Sequence, residues 1–235
     1  NAADYGRAQR RRRVFFFVFR NDTKWGERLH TKYEATLSND DDFNARLDCY
    51  APYIFEDGLF GRQFPVKNEA VKKRINANKL DEDIAEVSAN FSDGKMWNSG
   101  LMTNGYYYTI ETEPKGDEEP IPMKKIVVKE NQVPEDYYVD GEKLEKFKYL
   151  RGPKKITRTA ANGHTYTFSE GGMSEYDSLE LPGRTMLTSE GSVNRSTHLL
   201  KIDGKYRLIT PIEAERLQDF PDDWTRYKRN AKGEV

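Results

Sequence analysis

The chain has 235 residues, a formal net charge of -1, 36% hydrophobic and 33% charged residues, and a single cysteine, Cys49. That length accommodates one large domain or two small ones, and one cysteine excludes an internal disulfide framework and fits a reducing compartment. Three dispersed histidines (His30, His164, His198) provide no zinc-ligand spacing, and no apolar stretch reads as a membrane span or a signal peptide.

The near-neutral total conceals uneven placement. Residues 1–20 carry six arginines against one acid, Asp4, and residues 143–158 carry seven Lys or Arg against Glu145, while acids gather at 40–42, 81–83 and 117–119. Two basic patches of this kind are what a phosphate backbone feels. In chain order, "AQRRRRVFFFVFR" (8–20) comes first. Val14–Phe19 is a continuous aromatic and β-branched run, which predicts a strand buried on both faces. Alternation along an extended chain puts Gln9, Arg11 and Arg13 on one side and Arg10 and Arg12 on the other. A guanidinium anchored this way suits a carboxylate, a phosphate or a base edge, and a solvated basic rim is the competing reading.

Residues 21–65 read as loop with a possible short helix. Residues 66–90 read as helical, with Ala70, Val71 and Ile75 on one side, then Leu80, Ile84 and Val87. "YYYTI" (106–110) and "KKIVV" (124–128) are strand candidates, with the acidic surface loop "GDEEPIP" between them. Strand packing is preferred for Tyr106–Tyr108 over base stacking. Residues 143–210 alternate basic, Gly-rich and β-like segments. "TPIE" (210–213) is the clearest helix start: Thr210 as N-cap, Pro211 at the first helical position and Glu213 closing a capping box. Ala214, Leu217 and Phe220 follow at helical spacing before "FPDDW" ends the helix.

"NAADYGRAQRRRRVFF" resembles the motif N-A-x-x-Y-G-x-P-Q-x-R-x-R of the DNA cytosine-5 methyltransferase family. Asn1, Ala2, Tyr5, Gly6, Gln9, Arg11 and Arg13 match, and Ala8 stands where the family has proline. Near the other end, the chain resembles the family's T-P-R-E-x-x-R-L-Q-x-F-P. Thr210, Pro211, Glu213, Arg216, Leu217, Gln218, Phe220 and Pro221 match, and Ile212 replaces an arginine. "RGPKKITRTAANGHTYTFSEGG" (151–172) is similar to segments of the family's target-recognition domains. Residues 21–140 show no such match.

The resemblance implies an α+β chain: a small target-recognition domain of short strands and loops, flanked by a strand and a helix of an incomplete Rossmann-like α/β methyltransferase domain. Residues 1–20 would close the catalytic domain, 21–209 would read DNA, and 210–235 would return to the catalytic domain. It also implies methylation at C5 of a cytosine flipped out of duplex DNA, with S-adenosylmethionine as donor and no metal. Arg13 matches an arginine near the cytosine O2, Arg11 one that supports the active site, and Gln9 one that fixes the loop. The family's cofactor loop, Pro-Cys nucleophile and E-N-V glutamate have no counterpart. Cys49 follows Asp48 and reads as a small structural thiol. The chain is therefore expected to be the recognition portion of a longer or split enzyme, inactive alone, partnered by duplex DNA and by the complementary catalytic half, in a bacterial or phage-derived cytoplasmic setting.

Lys154, Lys155 and Arg158 are candidate DNA contacts, as are Thr188, Ser189, Gly191, Asn194, Arg195 and Ser196 in the loop "TSEGSVNRSTH". Ser and Gly loops are also ordinary turns. His198 reads as a structural histidine, and Arg216 as an ion-pair anchor of the last helix. The alternative reading is a non-enzymatic DNA-binding module on the same scaffold. The recognised bases, and the choice between restriction–modification and a solitary methylase, stay open.

Overall fold

The computed structural model describes residues 1–35, 37, 43–67, 75–80, 83, 85–86, 89 and 96–227. They fall into two compact units: residues 1–13 with 118–235, and residues 14–117. The described elements are helices and small antiparallel sheets, an α+β arrangement.

In the 14–117 unit, helices cover Lys24–Leu29, Phe43–Pro52 and Leu59–Gln63, with π-helical turns at His30–Glu34 and Tyr53–Asp57. This is more helix than the loop expected over 21–65. Thr23 starts the first helix by accepting from the Gly26 amide at 3.4 Å, and buried Leu29, Tyr33, Tyr50, Ile54 and Phe55 then supply one apolar side. They pack on an antiparallel sheet of β1 (Ile75–Lys79), β2 (Ser99–Thr103) and β3 (Tyr106–Ile110), in the order β1-β3-β2. Tyr108 and Ile110 of central β3 are fully buried, so strand packing accounts for that part of the tyrosine run. Asn104 and Gly105 both have positive φ (49° and 75°), the turn that an Asn-Gly pair favours between hairpin strands.

Three expected elements are corrected. Residues 75–79 form a strand, not a helix, because Ile75–Lys79 pairs in register with Tyr106–Ile110. Ala70, Val71, Ile84 and Val87 of that expected helix lie outside the described residues. The 124–128 segment is not a strand: Met123–Lys125 is a 3-10 turn behind Pro122, and the Ile126 and Val127 amides bond back to the Met123 carbonyl.

Val14–Phe19 is not a buried strand either. A strand buried on both faces needs neighbouring strands and covering layers, and this run has no ladder partner among the described residues. Its odd-numbered rings pack locally: Phe15 on Phe60 and Phe64, Phe17 and Phe19 on Trp25. Val14, Phe16 and Val18 are 76%, 85% and 89% exposed. The period of two is present, but even the better-packed side is covered only in part, with Phe15 58% and Phe17 38% exposed.

The other unit contains a three-stranded antiparallel sheet, β4 (Tyr138–Val139), β8 (Lys205–Arg207) and β7 (Leu200–Ile202), in the order β4-β8-β7. It also holds the Gly141–Arg151 helix, a separate hairpin of β5 (Lys154–Thr159) and β6 (Thr165–Glu170), and the Pro211–Leu217 helix. Ala8, Met123, Ile126, Leu200, Ile209 and Leu217 form one core cluster, and Val139, Phe147, Leu199 and Leu208 another. The capping box forms as read: Thr210 Oγ1 accepts from the Glu213 amide, and the Thr210 amide donates to Glu213 Oε2 at 2.7 Å. The helix ends at Leu217, short of Phe220.

Candidate nucleic-acid interface

Gln9 is buried, and its amide joins three segments. Nε2 donates to the Leu217 carbonyl (3.2 Å), while Oε1 accepts from Arg11 Nη1 (3.2 Å) and from the Met186 amide (3.3 Å). The backbone around it is strapped to residues 183–185. The Gly183 amide donates to Ala8, the Arg10 amide to Gly183, and Thr185 Oγ1 to the Arg10 carbonyl. Arg11 Nη1 also reaches the Met186 carbonyl at 3.4 Å. The arginine motif is therefore anchored, but by the strap on its near side and not by the apolar run behind it. Arg13 is exposed, and its guanidinium donates to the Arg12 carbonyl at 2.7 Å. Gln9 and Arg11 thus act together, and Arg13 stands apart.

The strap leads directly into the loop 188–197, which Asn194 organises from inside. Its Nδ2 donates to Ser189 O (3.0 Å) and Ser192 Oγ (3.1 Å), and its Oδ1 accepts from the Ser196 and Thr197 amides. Thr188, Ser189 and Gly191 are exposed. Arg195 leaves the loop to pair with Glu170 (2.6 Å) and to donate to the Gly171 carbonyl. Glu170 also holds Lys154 at 3.1 Å, and its carboxyl lies below the usual range because Lys154 and Arg195 donate to it. One carboxylate therefore joins the two candidate segments, 151–172 and 188–196.

The candidates divide by engagement. Lys154 is spent on Glu170 and on the Leu150 and Gly152 carbonyls. Asn194 and Arg195 hold the loop in place. Lys155 makes no ion pair or hydrogen bond among the described residues, and Arg158 lies over the Phe168 ring, 3.9 Å from its centroid.

Beneath this surface lies a buried network that the sequence reading did not identify. Arg151 donates to Ser174 O, Glu175 O, Thr197 O and Asp177 Oδ2. Arg184 also donates to Asp177 and to Thr197 O, and the Leu199 amide reaches Asp177 Oδ2 at 2.9 Å. Burial alone would raise the Asp177 carboxyl, but the Arg184 hydrogen bonds and the charges of Arg184 and Arg151 outweigh it and hold the group far below its ordinary value. His198 is buried with Nδ1 2.9 Å from Glu190 Oε1, but its Nε2 is buried without a hydrogen-bond partner among the described residues, so the fully satisfied structural histidine expected is met on one side of the ring only. Arg216 pairs with Asp222 (2.6 and 2.7 Å) and donates to Ile126 O, the anchor expected of the last helix. Lone buried Arg and Asp residues far apart in sequence carry no local signature, which is why this network escaped.

The model of the C-5 cytosine-specific DNA methylase family matches residues 1–234. The chain belongs to that family. The Type II methyltransferase M.Sau3AI of Staphylococcus aureus is 49% identical over 225 residues, which cover 96% of this chain and 50% of that protein. This methylase-family chain thus spans about half the length of the relative. No solved structure matches it. The family match bears out the resemblance read from the two end motifs, and it extends through residues 21–140, where no motif was visible.

The family's chemistry uses S-adenosylmethionine. The glycines with open space beside them include Gly105, Gly163 and Gly204, which have positive φ and serve hairpin turns, not a nucleoside cradle. Among the described residues no cluster of His, Cys, Asp or Glu could hold a metal.

Proposed function

We propose that this chain is the target-recognition and C-terminal portion of a DNA cytosine-5 methyltransferase. Its complementary half, in the same polypeptide or a second one, supplies the nucleophilic cysteine and the S-adenosylmethionine site. The observation that carries the reading is the Gln9 clasp, which ties the matched arginine motif to residues 183–186 at the threshold of the loop 188–197. A residue that fixes a catalytic arginine is thereby joined to a loop of short donors. By role, residues 1–20 and 210–235 belong with the catalytic half and 21–209 read DNA, a division that cuts across the two compact units.

In this reading, Arg13 turns toward the flipped cytosine. A guanidinium near O2 stabilises the negative charge that develops on the ring during attack at C6. Arg11 supports that arrangement, and Gln9 positions it. Lys155 and Arg158 meet phosphates, with Lys154 bracing them, while Thr188, Ser189 and Gly191 approach the duplex on the frame made by Asn194, Arg195 and Ser196. The uncovered Val14, Phe16 and Val18 row is where the catalytic sheet would close.

The test is methyl transfer to duplex DNA from a labelled donor, with the chain alone and with the complementary half supplied. Transfer is expected only in the second case, with DNA binding that weakens steeply as salt rises. Transfer by the chain alone would overturn the reading. Arg13→Ala is expected to abolish transfer while DNA binding persists; a general loss of affinity alone would favour a non-enzymatic DNA-binding module.

A further inference from the structure

The β5–β6 hairpin is exposed along both strands. Its register pairs Lys154 with Glu170, Lys155 with Ser169, Ile156 with Phe168, Thr157 with Thr167, Arg158 with Tyr166 and Thr159 with Thr165. Alternation then makes two unlike faces. One carries Lys154, Ile156, Arg158, Tyr166, Phe168 and Glu170, and several of these contact one another across the ladder. Lys154 pairs with Glu170, Ile156 lies opposite Phe168, and the Arg158 guanidinium stacks on the Phe168 ring.

The other face carries Lys155, Thr157, Thr159, Thr165, Thr167 and Ser169. It presents five hydroxyls and one ammonium with no carboxylate. None of the six side chains makes a hydrogen bond or ion pair among the described residues, and all six are exposed. An isolated two-stranded ribbon is marginal in water. Among the described residues this one is held at its base, by Lys154 on the Leu150 and Gly152 carbonyls and by Arg195 on Glu170 and Gly171. Its far end closes through a turn at Gly163 (φ +82°).

Threonine reconciles the two demands on such a ribbon. Its branched Cβ favours the strand, and its hydroxyl both donates and accepts. Hydroxyls without competing acids suit phosphate oxygens and base edges, where a donor that can also accept serves either partner. The width of a two-stranded ribbon matches the major groove of B-form DNA, about 12 Å. Six residues per strand at about 3.4 Å each give a reach of about 20 Å. A protein-docking face of this size would carry apolar anchors, and here those lie on the opposite face.

We propose that the β5–β6 hairpin lies in a groove of duplex DNA through its Lys155–Thr157–Thr159 and Thr165–Thr167–Ser169 face, with Lys155 on a phosphate. This inference rests on the reading of the chain as the DNA-recognising portion, and it names the surface that does the recognising. The ladder Thr157↔Thr167 is its centre, flanked by Thr159↔Thr165 toward the turn and Lys155↔Ser169 toward the base.

The test uses the full chain and a labelled mixed-sequence duplex, with binding followed by anisotropy across a salt series. Thr157→Val with Thr167→Val keeps the branched shape and removes both hydroxyls, so binding is expected to weaken about tenfold for two hydrogen bonds. Thr157→Ser with Thr167→Ser is expected to retain affinity. Lys155→Ala is expected to lower the slope of log K against log salt by about 0.9. If the valine pair does not fold, Thr159→Val with Thr165→Val reads the neighbouring rung in the same way. Unchanged affinity in the valine and Lys155 variants, while the parent chain binds, overturns the hairpin assignment alone. A parent chain that binds no duplex overturns the underlying reading as well. Variants that keep DNA binding but lose association with the complementary half would mark the face as a protein contact and overturn the proposal.

Discussion

Glu213 gives the sharpest test of the architecture that holds the Gln9 clasp. It is fully buried, and its carboxylate accepts from Arg207 Nη1 (2.9 Å), Arg207 Nη2 (2.8 Å), the Thr210 amide (2.7 Å) and the Val128 amide (2.9 Å). Glu213→Ala removes all four bonds at once. Arg207, also fully buried, keeps Glu130 at 3.0 Å and its own bond to the Leu208 carbonyl. Breaking a buried pair from one side costs about 3–5 kcal/mol. Two amides left unmet add about 1–3 kcal/mol each where water cannot reach them. The remaining Glu130 contact and hydration at the freed helix start offset part of that, so a loss of about 4 kcal/mol is expected, a large share of the roughly 5–15 kcal/mol typical of a domain.

The assay is urea unfolding followed by far-UV circular dichroism. Paired replacement, Arg207→Met with Glu213→Leu, is expected to cost less than Glu213→Ala alone, because no buried charge is left behind. A loss below about 1 kcal/mol for Glu213→Ala, or a double variant worse than the single, would refute the claim that this buried pair anchors the unit. The consequence reaches the candidate site, since the helix that Glu213 caps carries Leu217, whose carbonyl holds Gln9.

Further outcomes follow from the same geometry. Gln9→Ala leaves the Met186 amide and the Leu217 carbonyl without their partner, so a destabilisation of about 1–3 kcal/mol is expected in chemical unfolding. With the complementary half supplied, it should reduce methyl transfer more than DNA affinity. Asp177 is held below its ordinary value of 3.8 in the folded chain, so its contribution is fully present above about pH 4 and is lost as pH falls through the folded value. Asp177→Asn should therefore be less stable at neutral pH and show a flatter decline on acidification, read by thermal melts between neutral and acid pH. Arg195→Ala should cost less than about 1 kcal/mol, since the pair it breaks is partly exposed. Hydrogen exchange across residues 154–170 should nevertheless quicken, because the hairpin base keeps Lys154 but loses the Arg195 tether.

Features that depend on near neighbours are legible in the residues themselves. The Thr210–Glu213 capping box lies within a single turn, and the strand 106–110 is likewise local, so each was legible from residue type and spacing. Family membership was legible for a related reason, because the two end motifs carry it in short runs of particular residues. Outcomes that depend on a distant partner were not legible there. Ile75–Lys79 had an apolar spacing compatible with a helix and became a strand because β3 offered it a ladder. Val14–Phe19 had the composition of a buried strand and was left half uncovered, because burial requires layers that the run cannot supply. Arg151, Asp177 and Arg184 meet only because the fold brings their three segments together around one buried carboxylate. The anchor of the arginine motif lies at residues 183–186, where no spacing rule would place it. Period and capping are properties of a segment, whereas ladder partners, buried ion pairs and the covered side of an apolar run are properties of the assembly around it.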